Sequence, residues 1–276
     1  MAFVTRFAPS PTGPLHLGHA YSALLAHDAA RAQGGAFLLR IEDIDRARSK
    51  PQWEAQIYDD LQWLGIAWDG AVMRQSDRLP AYQAVLQRLW DRGVLYPCTC
   101  TRRDIEAAIS APQEGAMGPD GPVYPGTCRC TPNGPIPQDA ALRLNMALVA
   151  QETSFQEMGD GLAGIVTTTA QDYIQTIGDV VLARRDMGTS YHLSVVLDDA
   201  AQGITHVLRG ADLFEATRIH TLLQQILGLP TPIYHHHRLI RDDHGKRLAK
   251  RDDARALFKY RADGASPADI RAMVGL

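Results

Sequence analysis

Cysteine is scarce, with four in 276 residues, which excludes the disulfide-dense scaffolds of small secreted domains. No apolar run approaches the roughly 18 residues of a membrane helix, and the N-terminus lacks a signal-peptide pattern. The chain therefore reads as cytoplasmic. Excess charge of either sign is also missing. Lys and Arg number 28 against 31 Asp and Glu, a net charge of −3, so any nucleic-acid contact must use a local patch. Internal repeats are absent, and the one low-complexity stretch is a Gly/Pro-rich loop near 111–136. What remains is an ordinary globular composition, 45% hydrophobic and 21% charged, long enough for one large or two smaller domains.

The chain is organised around Arg6-Phe-Ala-Pro-Ser10-Pro-Thr-Gly-Pro-Leu-His16-Leu-Gly18-His19. A short apolar run (Phe3, Val4, Phe7) predicts a strand, and Pro9, Pro11, Gly13 and Pro14 then impose a loop. From Leu17 the residues Leu17, Ala20, Leu24 and Leu25 follow helical spacing. Strand, tight loop and helix put His16 and His19 at a helix N-terminus, whose backbone N–H groups favour phosphate. Two imidazoles three residues apart share one face and can donate to a phosphoryl group. Gly18 between them leaves room for a flat ring such as adenine. The competing reading is a Pro-rich turn with two surface histidines.

Further along, Ala36–Ile41 predicts a buried strand that delivers Glu42-Asp43-Ile-Asp45 to its carboxyl end. Those carboxylates either bind a substrate ammonium or form a solvated acidic turn. Amphipathic helices are expected at about 51–64 and 78–92. Cys98-Thr-Cys100 and Cys128-Arg-Cys130 use every cysteine, and two Cys-x-Cys pairs across a loop suit a tetrahedral zinc. On donor softness alone Cys130 is the better fourth ligand. Strands are expected around 142–146 and 178–186, a helix at Tyr191–Leu197, and a strand from Ile204 that ends in Arg209, Gly210 and Asp212. Arg209 facing Arg6 can clamp a carboxylate, the competing reading being that each arginine is half of a structural salt bridge. A helix at 217–227 stops at Gly228, and Ile233–Ile240 predicts a strand on which only His235 and His237 of the His triplet share a face.

The stretch Pro9-Ser-Pro-Thr-Gly-Pro-Leu-His16-Leu-Gly-His19 resembles the first signature of class I aminoacyl-tRNA synthetases, specifically the glutamyl branch. Arg247-Leu-Ala-Lys250-Arg251, after Gly245, is similar to the second, Lys-Met-Ser-Lys-Ser-like signature. Arg247 replaces its first Lys and Ala249 its Ser, while Lys250, which holds ATP phosphates in the family, is intact. The resemblance runs from about residue 3 to 252. It implies a Rossmann-like α/β nucleotide fold in two halves, 1–97 and 179–251. An inserted zinc-containing acceptor-type domain (98–178) divides them, and a short helical tail (252–276) follows without an anticodon-binding domain.

Matched residue by residue, the resemblance implies that Arg6, Ser10, Glu42, Tyr191 and Arg209 bind glutamate, with Glu42 near its amino group. His16, Gly18, His19, Arg247 and Lys250 would bind ATP, which brings Mg²⁺, with His16, His19 and Lys250 catalytic. A structural zinc would take Cys98, Cys100 and Cys128, and the shortened members of the branch supply Tyr124 as fourth ligand where full-length members supply Cys130. Those shortened members, the glutamyl-Q tRNA(Asp) synthetases, imply tRNA-independent activation of L-glutamate and its transfer to queuosine of tRNA(Asp), by a monomer. A minimal glutamyl-tRNA synthetase and a non-catalytic tRNA-binding paralogue are the alternatives.

Overall fold

The computed structural model describes residues 2–101, 103–104, 117–119, 121–240 and 255–276. Two groups of parallel strands form its centre. The first contains β1 (Val4–Phe7), β2 (Ala36–Ile41) and β3 (Met73–Arg74), in the order β1-β2-β3. The second contains β11 (His206–Gly210) and β12 (Ile233–His237), parallel in register from His206↔Ile233 to Gly210↔His237. Thr205 stitches them together: its N–H donates to Val4 O (2.9 Å), its carbonyl accepts from Ile233 N (2.9 Å), and Val4 N donates to its hydroxyl (2.8 Å). The resulting order β3-β2-β1-β11-β12 is that of a Rossmann-like sheet, so the carboxyl ends of β1, β2 and β11 lie along one crevice.

Each β1–β2 and β11–β12 element is joined by a helix, as parallel strands require. Helix α1 (Leu17–Ala32) buries Leu17, Ala20, Tyr21, Ala23, Leu24, Ala26 and Ala30, a helical stripe of mostly small side chains that allows close packing on β1. Gly34, at φ +59°, takes the left-handed position after the helix. Gly35 has a different reason to be glycine. A Cβ there would lie 2.2 Å from Phe3 O, so the chain can pass the start of β1 only without a side chain. On β2, Phe37, Leu39 and Ile41 are fully buried, each worth about 1.5–3 kcal/mol of transfer free energy.

The expected helices at about 51–64 and 78–92 are α2 (Pro51–Trp63) and α3 (Leu79–Asp91). The segment that follows builds an antiparallel sheet from β4 (Leu95–Cys98), β7 (Ala141–Leu144) and β10 (Val181–Ala183), in the order β10-β7-β4. A two-stranded ribbon, β5 (Met117–Gly118) with β6 (Gly121–Pro122), lies beside it in sequence. The pair β8 (Thr153–Glu157) and β9 (Gly164–Thr168) does not stay with these strands. β8 joins β12 through Tyr234↔Glu157, so residues 153–168 extend the sheet of β11 and β12.

Helix α4 (Tyr191–Ala201) packs against α3, β10 and α5 (Phe214–Leu227), and α5 packs against β8 as well, ending at Gly228 with φ +66° as its composition predicts. Of the C-terminal residues, α6 (Leu257–Ala262) and α7 (Pro267–Val274) cover α1. Leu257 N donates to Leu15 O, Ile270 and Val274 are fully buried, and Arg271 pairs with Asp28 of α1. This tail is therefore part of the core that holds the first signature helix. Among the described residues no helix is long and apolar enough to cross a membrane.

Candidate active site

The loop from β1 to α1 and the residues just past β2 meet at the crevice. Glu42 N donates to Pro9 O (3.0 Å), which holds Ser10 beside Glu42. His16 caps α1, and its Nδ1 accepts from Gly18 N at 3.1 Å, while His19 Nδ1 accepts from His16 N at 3.2 Å. A ring nitrogen that accepts carries no proton, so both imidazoles, when neutral, bear theirs on Nε2. The rings lie 3.8 Å apart. Two of the N–H groups expected to face an anion are thus taken by the imidazoles, whose own donors are their Nε2–H groups. Gly18, expected to make room for adenine, first makes room for His16: a Cβ would sit 3.0 Å from its Cε1.

On β1 and β2, the strands that flank α1 in sequence, sits a buried charge cluster. Arg6 donates to both oxygens of Asp199, from Nε at 2.9 Å and Nη2 at 3.2 Å. Arg40 Nη1 donates to the same Asp199 (2.7 Å), and its Nη2 to Glu42 Oε1 (3.1 Å). Burial alone would raise the Asp199 carboxyl, but the Arg6 and Arg40 guanidiniums outweigh it and hold it at about 2. For Glu42 burial wins, and its carboxyl is raised despite Arg40 and Arg6. Arg209, at the end of β11, has Tyr191 Oη 3.5 Å from Nη1 and Thr217 Oγ1 2.6 Å from Nη2. Three guanidiniums (Arg6, Arg40, Arg209) against two carboxylates (Asp199, Glu42) leave one positive charge, a match for an amino acid with two carboxylates and one ammonium.

The structure thus brings Arg6, Glu42, Tyr191 and Arg209 within reach of one another, with Ser10 next to the Pro9 carbonyl that Glu42 bonds, and it places His16 and His19 at the far end of the same β1–α1 loop. Arg247 and Lys250, together with Ala249 and Arg251, lie outside the described residues. The sequence reading missed Arg40 and Asp199, which look like an ordinary strand residue and an ordinary helix residue until the fold brings them together across 159 positions. His192, His220, Thr217 and His236, which surround Arg209, were missed as well.

From Tyr191 and His192 a cleft of about 740 Å³ runs past Arg143 and Asp179 to Cys98, Cys100 and Tyr124. The Sγ atoms of Cys98, Cys100 and Cys128 lie within 4.8 Å of one another, and this is the one such group among the described residues. Tyr124 Oη is 3.5 Å from Cys98 Sγ and 3.4 Å from Cys100 Sγ, and it accepts from Cys128 N at 3.0 Å. Cys130 is exposed and outside the group. Three convergent thiols that ionise on binding fit a thiophilic metal, and Tyr124 is the oxygen nearest to completing a four-ligand set.

A family model described as tRNA synthetases class I (E and Q), catalytic domain, matches residues 2–276. A glutamyl-Q tRNA(Asp) synthetase of Rhodobacter capsulatus is 69% identical over 99% of this chain and its own full length. Another of that name, from Rhodopirellula baltica, is 42% identical over 97% of this chain and 82% of its own. The crystal structure of a glutamate tRNA ligase from Elizabethkingia meningosepticum, in complex with its amino acid, matches with a TM-score of 0.79 at 26% identity, over 99% of this chain. This chain spans 60% of that ligase's length. The sequence signatures, the Rossmann-like sheet and these matches agree: the chain is a ligase that belongs to the class I tRNA synthetases, in the glutamyl-Q tRNA(Asp) synthetase family.

Proposed function

We propose that the protein activates L-glutamate with ATP, without tRNA, and transfers it to the queuosine base of tRNA(Asp). The observation that carries the activation step is the single surplus positive charge among Arg6, Arg40, Arg209, Asp199 and Glu42, placed beside two Nε2–H donors. The names of the relatives support the acceptor.

In this reading one glutamate carboxylate lies between Arg6 and Arg209, with Tyr191 donating to it, and the ammonium faces Glu42 and Ser10. The other carboxylate attacks the α-phosphorus of ATP. A C–O–P bond forms, the bond to the β-phosphate breaks, and pyrophosphate leaves with Mg²⁺. His16 and His19 donate to the phosphoryl oxygens as their charge grows, each worth about 3 kcal/mol of barrier by analogy with oxyanion donors. Lys250 and Arg247 take the leaving phosphates, and Gly18 borders the nucleotide. A hydroxyl of the acceptor base then attacks the acyl carbon, and AMP departs.

Residues 1–97 and 179–251 would be the two halves of the nucleotide fold, 98–178 the inserted unit and 252–276 the tail. Cys98, Cys100, Cys128 and Tyr124 would hold a structural zinc, which stiffens the wall of the cleft opposite Tyr191. Glutamate-dependent ATP–pyrophosphate exchange without tRNA tests the activation step. The exchange is expected in the parent chain, and His16→Ala with His19→Ala should lower it at least a hundredfold. Exchange near the parent level in that variant would overturn the phosphate assignment.

A further inference from the structure

We propose that His220 and His236 are positioning residues for Arg209, and that Glu157 fixes the tautomer which lets His236 do so. The inference rests on the glutamate pocket proposed above. A guanidinium can only donate, so a histidine nitrogen that faces it must present a lone pair. His236 Nε2 lies 3.2 Å from Arg209 Nε, and His220 Nδ1 lies 3.2 Å from both Nη1 and Nη2. The protons must then sit on the opposite nitrogens, and each has an acceptor there. His236 Nδ1 donates to Glu157 Oε2 at 2.5 Å, and His220 Nε2 donates to His192 Nδ1 at 3.0 Å. Thr217 completes the holder: its hydroxyl accepts from Arg209 Nη2 and donates to Leu213 O.

The identity of these partners has a consequence. Arg6 and Arg40 both lean on the Asp199 carboxylate, whereas among the described residues no carboxylate lies within ion-pair distance of Arg209. Its three nitrogens are held by neutral groups. Burial, with Arg209 itself as the next cause, keeps His220 well below the ordinary imidazole range and His236 at about 4, so both stay neutral at working pH. Arg209 is therefore fixed in direction with its charge intact. That combination selects a substrate side-chain carboxylate over a carboxamide, because only the carboxylate both accepts the hydrogen bonds and answers the charge.

Glu157 has no freedom to act otherwise. Its Oε1 accepts from His236 N (2.9 Å), Gly159 N (2.6 Å) and Met158 N (3.2 Å), leaving Oε2 for the imidazole. In a Glu157→Gln variant the amide oxygen stays with the three backbone donors, so its NH₂ faces His236 Nδ1. The imidazole proton is then driven to Nε2, against the Arg209 Nε–H.

Three variants test this by steady-state pyrophosphate exchange. His220→Leu keeps the bulk and removes the acceptor. His220→Asn returns an oxygen near the place of Nδ1. Glu157→Gln keeps the shape of the side chain, removes its charge and turns a donor toward His236 Nδ1, which reverses the tautomer. His220→Leu and Glu157→Gln are expected to raise the KM for glutamate at least tenfold, with kcat within about threefold, the KM for ATP unchanged, and discrimination against glutamine reduced. His220→Asn should return the KM to within about threefold of the parent. A glutamate KM within twofold of the parent in both His220→Leu and Glu157→Gln would overturn the inference while leaving the glutamate pocket intact. Equal losses in kcat and in the KM for ATP would also overturn it, by showing a general structural effect. If His220→Leu fails to fold, Glu157→Gln and His220→Asn still decide the matter. No glutamate-dependent exchange in the parent chain would overturn the proposed function and this inference with it.

Discussion

Asp199→Asn is the sharpest test of the charge cluster. The carboxylate is the shared partner of two buried guanidiniums, Arg6 in a bidentate contact and Arg40 through Nη1. Asparagine has the same shape, but its NH₂ must face a guanidinium donor and its charge is gone. The lowering of Asp199 from 3.8 to about 2 corresponds to roughly 2 kcal/mol of native-state stabilisation. Leaving Arg6 without a counterion and Arg40 with Glu42 alone adds a burial penalty, and removing one partner of a buried pair costs about 3–5 kcal/mol in general. The expected loss is therefore about 2–5 kcal/mol, or roughly 5–15 °C in Tm for a chain of this size. Denaturant titration of parent and variant between pH 2 and 8 measures it. Because the folded value lies below the unfolded one, the ionised Asp199 stabilises fully above about pH 4, and that contribution disappears as pH falls through 2. The difference between the two proteins should be flat from pH 8 to 5 and shrink below 4. A variant within 0.5 kcal/mol of the parent at pH 7 would show that the cluster is not held by this carboxylate.

Two further predictions concern other parts of the molecule. Asp60 on α2 is fully buried, only its Oδ1 has a hydrogen bond (from Gln56), and burial raises its carboxyl to about 6. A raised acid favours the fold when protonated, so the parent loses stability as pH rises from about 4 to 6. Asp60→Asn should be about 1–2 kcal/mol more stable than the parent at pH 7.5, and no more stable below pH 4, by denaturant titration. A constant or absent advantage across pH would contradict the origin assigned to it. For the thiol cluster, purified protein is expected to carry about one zinc per chain. Cys100→Ser should abolish it, Tyr124→Phe weaken its retention against a chelator at least tenfold, and Cys130→Ser leave it unchanged. Retention lost with Cys130 and kept with Tyr124→Phe would reverse the ligand set that the geometry favours.

What could be read from the sequence was what is local. The helix start at Leu17 follows from proline placement and a 3.6-residue period within one stretch, and the structure begins α1 at that residue. The stop at Gly228 and the strand at Ala36–Ile41 rest on the same short-range chemistry. Register across the sheet was not legible. The partnership of Arg6 and Arg40 with Asp199 depends on α4 crossing the ends of β1 and β2, which no spacing announces. The His triplet shows the limit well. Period-two alternation correctly separates His236 from His235 and His237, but only the fold shows that His236 and His237 are both buried and that it is His236 that faces Arg209. His237 instead bonds Ser22 of α1, so the strand that leads toward residues 241–254 is tied to the first signature helix. The Cys-x-Cys pairs located the thiol cluster, while the choice between Tyr124 and Cys130 needed coordinates, because the loop that carries them is set by β4, β6 and β7 together.

The most direct test of the proposed function is transfer of labelled glutamate, with ATP, to tRNA(Asp) and tRNA(Glu), each prepared with and without queuosine. Label on queuosine-containing tRNA(Asp) alone, retained after removal of the 3′-terminal adenosine, is the predicted result. Label on tRNA(Glu) that disappears with that adenosine would contradict it and make the protein a minimal glutamyl-tRNA synthetase.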